Sequence, residues 1–221
     1  MKTCVYFADI LEPPLEDPLL PGLGGWFALG WGFTPEGRWR PRPLPAGAAG
    51  LVVDDRHLPS PAGLREAERA LARWEGAVIL DLERPGSPLL VRLAEILGDR
   101  DLVLPPHYAA CPHSRILAGP WTGEGDFPRW LARQEARYGP LVLDGAPVSR
   151  LLAPGRPGVP WTGPLPEGGF PDPAGGCLHR RRGDGSLLLW DSPGTLARRL
   201  KGLEVPVLLL REEWAGIQKD T

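Results

Sequence analysis

Asparagine is absent from the 221 residues, and lysine is scarce beside arginine. Both traits fit a GC-rich genome or a warm habitat, and the two sources stay open. Cysteine occurs only three times, at Cys4, Cys111 and Cys177. An odd, scattered set excludes a disulfide framework and reads as reduced thiols. No stretch approaches the roughly 18 uninterrupted apolar residues of a membrane helix. Residues 1–10, MKTCVYFADI, lack the apolar run of a secretory signal, so a cytoplasmic protein is expected. There is no basic excess either: the formal charge is −2 and the pI about 6.1. That argues against a nucleic-acid partner and against a polybasic membrane anchor.

Glycine and proline are abundant, at 29 and 28 residues. Their share approaches the level, about 25–30%, at which chains become low-complexity. Here they accompany nine tryptophans and many Leu/Val runs, which indicates a folded chain with long, proline-stiffened loops. The length suits one large α/β unit.

Short apolar runs alternate with helical patterns. Residues 51–55 (LVVDD) and 77–82 (AVILDL) read as strands, the second apolar on both faces as a buried parallel strand is. Between them Ser60-Pro61 offers a helix cap followed by proline at the first helical position. Leu64, Ala67, Leu71 and Trp74 share one face, and Gly76 closes the helix. Ser87-Pro88 repeats the start signal for a helix through Leu97, stopped at Gly98. Further strands are expected at 3–7, 26–31, 102–104, 115–118, 141–143 and 205–210. Helices are expected at 127–138, with Asp126 as cap and Gly139 as stop, and from Ser192-Pro193 through Lys201. Eight parallel strands is the number used by a closed barrel. The expected fold is therefore α/β: an irregular or abridged (β/α)8 TIM-type barrel, one domain across 1–221.

Several connections break the pattern. Residues 34–50 and 105–114 are irregular and proline-rich. Residues 147–176 form a Gly/Pro stretch too long for a structureless connector. It reads as a lid or as a disordered surface excursion, the latter the plainer reading. Residues 177–190 read as a hairpin turning at Gly183-Asp184-Gly185, so 147–190 is expected to be a loop and hairpin insertion.

Parallel α/β folds place ligand sites at the carboxyl ends of strands. Reading each strand to its end gives Asp54, Asp55, Arg56, Asp81, Glu83, Arg84, His107, Tyr108, Trp121, Asp144, Trp190, Asp191, Arg211, Glu212, Glu213 and Trp214. Carboxylates interleaved with aromatic rings suit a polyhydroxylated ligand, whose hydroxyls and apolar faces they match. The plainer account is that every strand must exit to water. Asp81-x-Glu83 is the sharpest pair: residues two apart on a strand face one way, and neighbouring carboxylates raise one pKa as general acid catalysis requires. The competing account has Glu83 and Arg84 starting a loop. His107-x3-Cys111-x-His113 has metal-ligating residue types but no fourth ligand, so no metal is assigned. No cofactor motif is present: Gly183-x-Gly185 lies in a hairpin turn, and no Ser or Cys sits in a nucleophile elbow. HRRR at 179–182 is a local basic patch, read as a solvated hairpin rather than an anion site.

The segment GAVILDLE, residues 76–83, resembles the fourth-strand signature of chitinase-like glycoside hydrolase family 18 barrels, which ends in Asp-x-Glu. That resemblance implies Glu83 as the acid protonating the glycosidic oxygen. It implies Asp81 as the group orienting the substrate's acetamido nucleophile, and Trp214 beneath the sugar. The chain departs from the family pattern at Ile79, where the family has an earlier Asp, and at 115–121 (RILAGPW), which lacks Met-x-Tyr-Asp. It is also similar to small barrel-like proteins of clostridial genomes, which implies no function. The expectation is a hydrolase or binder of an N-acetylated sugar, with Glu83 and Asp81 catalytic. Asp54, Asp55, Arg56, Tyr108, Trp121, Asp144 and Trp214 would bind substrate. The alternative is a non-catalytic barrel that binds a carbohydrate or a partner.

Overall fold

A computed structural model describes residues 4–8, 25–40, 47–98, 100–108, 114–173 and 176–219. The expected strands form β1 (Cys4–Ala8), β2 (Gly25–Trp31), β3 (Gly50–Asp54), β4 (Ala77–Asp81), β5 (Leu102–Leu104), β6 (Arg115–Ala118) and β7 (Leu141–Asp144). Five more, β8 to β12, follow before β13 (Val207–Leu210). The seven strands β2 to β7 and β13 make a curled parallel sheet in the order β2-β3-β4-β5-β6-β7-β13. Strand β1 pairs in parallel with both β2 and β13.

Side-chain alternation divides the core in two. Phe27, Val52, Ile79, Val103, Val142 and Leu208 meet on the concave face. The intervening residues pack outward against the helices. Gly50 is the register partner of Phe27, and a Cβ there would sit 2.1 Å from the Phe27 ring. The missing side chain makes room for that ring.

Helices α1 (Pro61–Leu71), α2 (Pro88–Leu97), α3 (Phe127–Tyr138) and α4 (Pro193–Leu200) start where Ser-Pro or Asp-x-Pro stands. Three caps are closed by side chains: Ser60 Oγ accepts from Gly63 N at 3.1 Å, Asp126 Oδ1 from Arg129 N at 2.8 Å and Ser192 Oγ from Thr195 N at 3.1 Å. Each satisfies an amide that the first helical turn leaves without a partner. Ser87 holds the same position at α2 without a side-chain bond.

Three expectations need correction. Helix α1 ends at Leu71 rather than running to Gly76. Trp74 is buried all the same, because its indole Nε1 donates to Ala77 O at 3.1 Å and folds the ring under β4. Residues 211–219 form a fifth helix, α5 (Arg211–Lys219), that strand-end reasoning missed. It follows β13 without a linker, and Glu213 Oε2 accepts from Leu210 N at 2.7 Å to cap its start. Residues 147–173 are no structureless excursion: they contribute β8 (Ser149–Leu152), β9 (Val159–Pro160) and β10 (Phe170–Pro171). These join the expected hairpin, β11 (Leu178–Arg181) and β12 (Leu187–Trp190), in a five-stranded antiparallel sheet of order β10-β11-β12-β8-β9.

A buried ion pair fastens this second sheet to the helices. Asp191, at the end of β12, accepts from Val148 N at 2.7 Å, Thr195 Oγ1 at 3.0 Å and Arg199 Nη1 at 2.8 Å. The Asp191 and Arg199 side chains are 0% and 3% exposed, and the guanidinium lies over the Trp121 ring at 5.2 Å. With three hydrogen bonds and a guanidinium beside it, the buried Asp191 charge is compensated.

The excursion after β2 is seated by a close backbone approach. A Cβ on Gly63 of α1 would fall 1.9 Å from Gly37 O. Glu66, one turn on, accepts from Arg38 Nε at 3.0 Å and Trp39 N at 3.1 Å. The chain then returns with Arg40 N donating to Gly32 O at 3.1 Å. Gly→Ala in a helix ordinarily stabilises by about 0.5–1 kcal/mol. At Gly63 the neighbouring atom is backbone and cannot swing away, so the sign reverses. Gly63→Ala should destabilise by about 1–3 kcal/mol in urea unfolding. Unchanged or increased stability would show that the contact is not this close.

Candidate functional site

Parallel strands held in register end together, so their last inward side chains crowd one opening. Asp54 closes β3 and Asp81 closes β4, and the two are direct register partners. Neighbouring strands lie about 4.8 Å apart, which sets the two carboxylates side by side. Asp144 closes β7 opposite Leu208 of β13. Together with Glu213 of α5 they line a cavity of about 500 Å³. Its floor is aliphatic, made by Val52, Ile79, Leu117 and Leu208, and Arg40 and Arg56 stand at its rim.

The carboxylates have few protein donors. Asp54 Oδ1 accepts from Arg56 N at 3.1 Å, and Asp144 Oδ1 from Ala146 N at 3.0 Å. Asp81 accepts no hydrogen bond from any described residue. It opens to the cavity yet is hemmed in by protein at its sides. Desolvation raises its pKa first, and the charges of Asp144, Glu83, Asp54 and Asp55 add to that. Burial likewise raises Asp144, against a smaller opposing pull from the Ala146 amide. Glu213 is raised by burial, with Asp144 and Glu212 adding to it and the Leu210 amide opposing. Arg40 is held at the rim by Nη1 donating to Gly30 O at 3.2 Å.

Of the residues marked in the sequence, Asp54, Arg56, Asp81 and Asp144 meet at this cavity. Glu213, also marked, lines it too, and the remaining residues stand elsewhere. Glu83 is exposed and does not line it. The i, i+2 argument requires an extended strand, and β4 ends at Asp81. Beyond it the chain turns, with Glu83 N and Arg84 N donating to Asp55 Oδ1 and Oδ2 at 3.1 and 2.8 Å. Asp55 is therefore a buried fastener between two strand exits, 3% exposed, rather than a group facing a ligand. Tyr108 is buried, and its hydroxyl donates to Arg84 O at 3.1 Å. Trp121 is buried beneath Arg199, with Nε1 donating to Glu124 O at 3.3 Å. Trp214 is 5% exposed and lies in the helix–sheet core, since it sits one turn into α5 and not on a loop. Among the described residues, no aromatic ring lines the cavity.

Arg40 was missed, because it lies in a proline- and arginine-rich stretch with no period to read. Glu213 was noted only as a strand-end residue; its spacing to Trp214 and Ile217 was the available sign of a helix. Among the described residues, no group of three or more His, Cys, Asp or Glu side chains could hold a metal ion. Cys111 and His113 of the sequence motif lie outside the described residues. Cys177 is buried, and desolvation with the Asp191 and Asp172 charges pushes its thiol up to about 12, so it is no nucleophile at neutral pH. No described helix is long and apolar enough to cross a membrane.

Compared with protein-family models, with curated proteins and with solved structures, the chain finds no match in any of the three.

The raised carboxyls carry a stability signature. A carboxyl whose pKa is higher folded than unfolded binds more protons in the folded state, so its ionisation destabilises the fold as pH rises. Asp81→Asn removes that repulsion and should raise the melting temperature at pH 7. The gain should vanish below the ordinary aspartate value of 3.8, where Asp81 is protonated in both states. A variant that melts lower than wild type at pH 7 would contradict this electrostatic account.

Proposed function

We propose that the parallel ring completed through β1 is an abridged (β/α)8 barrel. Its mouth binds a small polyhydroxylated ligand, and the N-acetylated sugars are the class to test first. One observation carries the reading: Asp54, Asp81, Asp144 and Glu213 converge from separate elements on one aliphatic-floored cavity. Carboxyls with so few donors among the described residues have hydrogen-bonding capacity free for a ligand. Hydroxyl groups match it in either protonation state, because they donate to a carboxylate and accept from a carboxylic acid. The aliphatic floor complements the C–H face of a sugar ring.

Binding is the primary reading, and hydrolysis is the secondary one. In the hydrolytic form the proton donor is Asp81 rather than Glu83, because Asp81 faces the cavity and has the raised pKa. Asp144 is the second carboxyl at the same cavity. Glu83 contributes through its charge, as one of the groups raising Asp81.

Titration calorimetry with N-acetylglucosamine oligomers tests the binding claim. Wild type should bind saturably, and Asp81→Asn or Asp144→Asn should weaken binding by about tenfold or more, as expected for a hydrogen bond to a charged group. Glu83→Gln should leave it unchanged. Absence of binding, or equal binding by all variants, would overturn the sugar reading. With a chromogenic N-acetylglucosaminide, turnover lost in Asp81→Asn but kept in Glu83→Gln would establish the hydrolytic form. Turnover lost in Glu83→Gln would restore Glu83 as the acid.

A further inference from the structure

The second sheet carries chemistry opposite to that of the barrel mouth. Cross-strand register puts Arg180, Leu188, Leu151 and Val159 in one row on a single face of β11, β12, β8 and β9. The segment from Trp161 to Pro166 lies along this face. Trp161 N donates to Ser149 O at 2.9 Å, and Ser149 Oγ returns a bond to Trp161 O at 2.8 Å. Between them runs a groove of about 500 Å³, with Leu188, Leu165 and Trp161 as apolar walls and Arg180, Arg181 and Arg182 on one rim. The apolar row continues outward to Val159 and Leu165, which are 52% and 47% exposed.

The three arginines are under-compensated. Arg182 lies over the Trp161 ring at 5.1 Å and has Asp184 at 3.8 Å. The side chains of Arg180 and Arg181 are exposed and make no hydrogen bond or ion pair with any described residue. We infer that this groove docks an acidic segment of a partner protein, its carboxylates on Arg180 to Arg182 and an apolar side chain against Leu188, Leu165 and Trp161. Guanidinium groups pair with carboxylates in bidentate fashion, and an open groove with an apolar strip suits an extended chain. Sheet-edge addition is not available: β9 ends in Pro160 and β10 in Pro171, and proline has no amide to donate. A nucleic-acid strand fits less well, because the groove offers one aromatic ring and the chain is net negative.

The test is fluorescence anisotropy with a labelled peptide of alternating Glu and Leu. A Gln-for-Glu version and a labelled oligothymidine serve as comparisons. Wild type should bind the acidic peptide saturably, and binding should weaken as salt rises. The surface double variant R180E/R181E should lose about tenfold or more in affinity while keeping its circular dichroism spectrum. Three results would overturn the proposal: no saturable binding of the acidic peptide, equal binding of the Gln peptide, or an R180E/R181E protein that binds like wild type. Tighter binding of oligothymidine than of the acidic peptide would replace it with a nucleic-acid surface.

Discussion

Parallel register is the constraint on which the molecule's chemistry depends. Strands that run the same way and pair residue for residue must end together, and their last inward side chains share whatever space lies beyond. Asp54 opposite Asp81 is the sharpest consequence. Neither carboxylate is unusual on its own strand, and their proximity comes entirely from the pairing of β3 with β4. Asp144 and Glu213 reach the same space from β7 and α5. The apolar residues just below line the floor of this space, and desolvation is the leading cause that raises the pKa of Asp81, Asp144 and Glu213. An acidic opening with little internal compensation is a standing destabilisation, which the buried layers on both faces of the sheet must offset.

Much of this was legible in sequence because it is locally encoded. Branched apolar runs bounded by Ser-Pro, Asp-x-Pro and glycine marked strands and helix starts, since a cap is a bond between a side chain and an amide three residues on. The ends of β3, β4 and β7 therefore placed Asp54, Asp81 and Asp144 at the cavity. What stayed hidden needed lateral information. Glu83 was paired with Asp81 along the chain, whereas Asp81's true neighbour lies across the sheet. Tyr108, Trp121 and Trp214 were assigned to a rim because they follow strands, yet each is drawn into the core by its own contacts. Arg40 reaches the cavity only because a backbone approach at Gly63 seats the preceding turn. The three short strands within 147–173 pair with residues as distant as Ser149 from Trp190 and have almost no periodicity of their own.

The two sheets divide the charge between them. The parallel sheet gathers carboxylates at its opening, and the antiparallel insertion exposes arginines on β11 and in the turn that follows it. The buried Asp191–Arg199 pair, with Thr195 and the Val148 amide, joins the insertion to α4 and the tryptophan beneath it. That pair is compensated on every side and is structural. The contrast with Asp81, which has no hydrogen-bond donor among the described residues, separates a charge that holds the fold together from one that faces an open cavity.

The central claim is that Asp81 and Asp144 face the same cavity. Carbon-13 detected titration of the Asp81 carboxyl, in wild type and in Asp144→Asn, measures this directly. The account predicts a midpoint above the ordinary 3.8 in wild type, moving downward once the Asp144 charge is removed. A midpoint at the ordinary value, or one indifferent to Asp144, would contradict it.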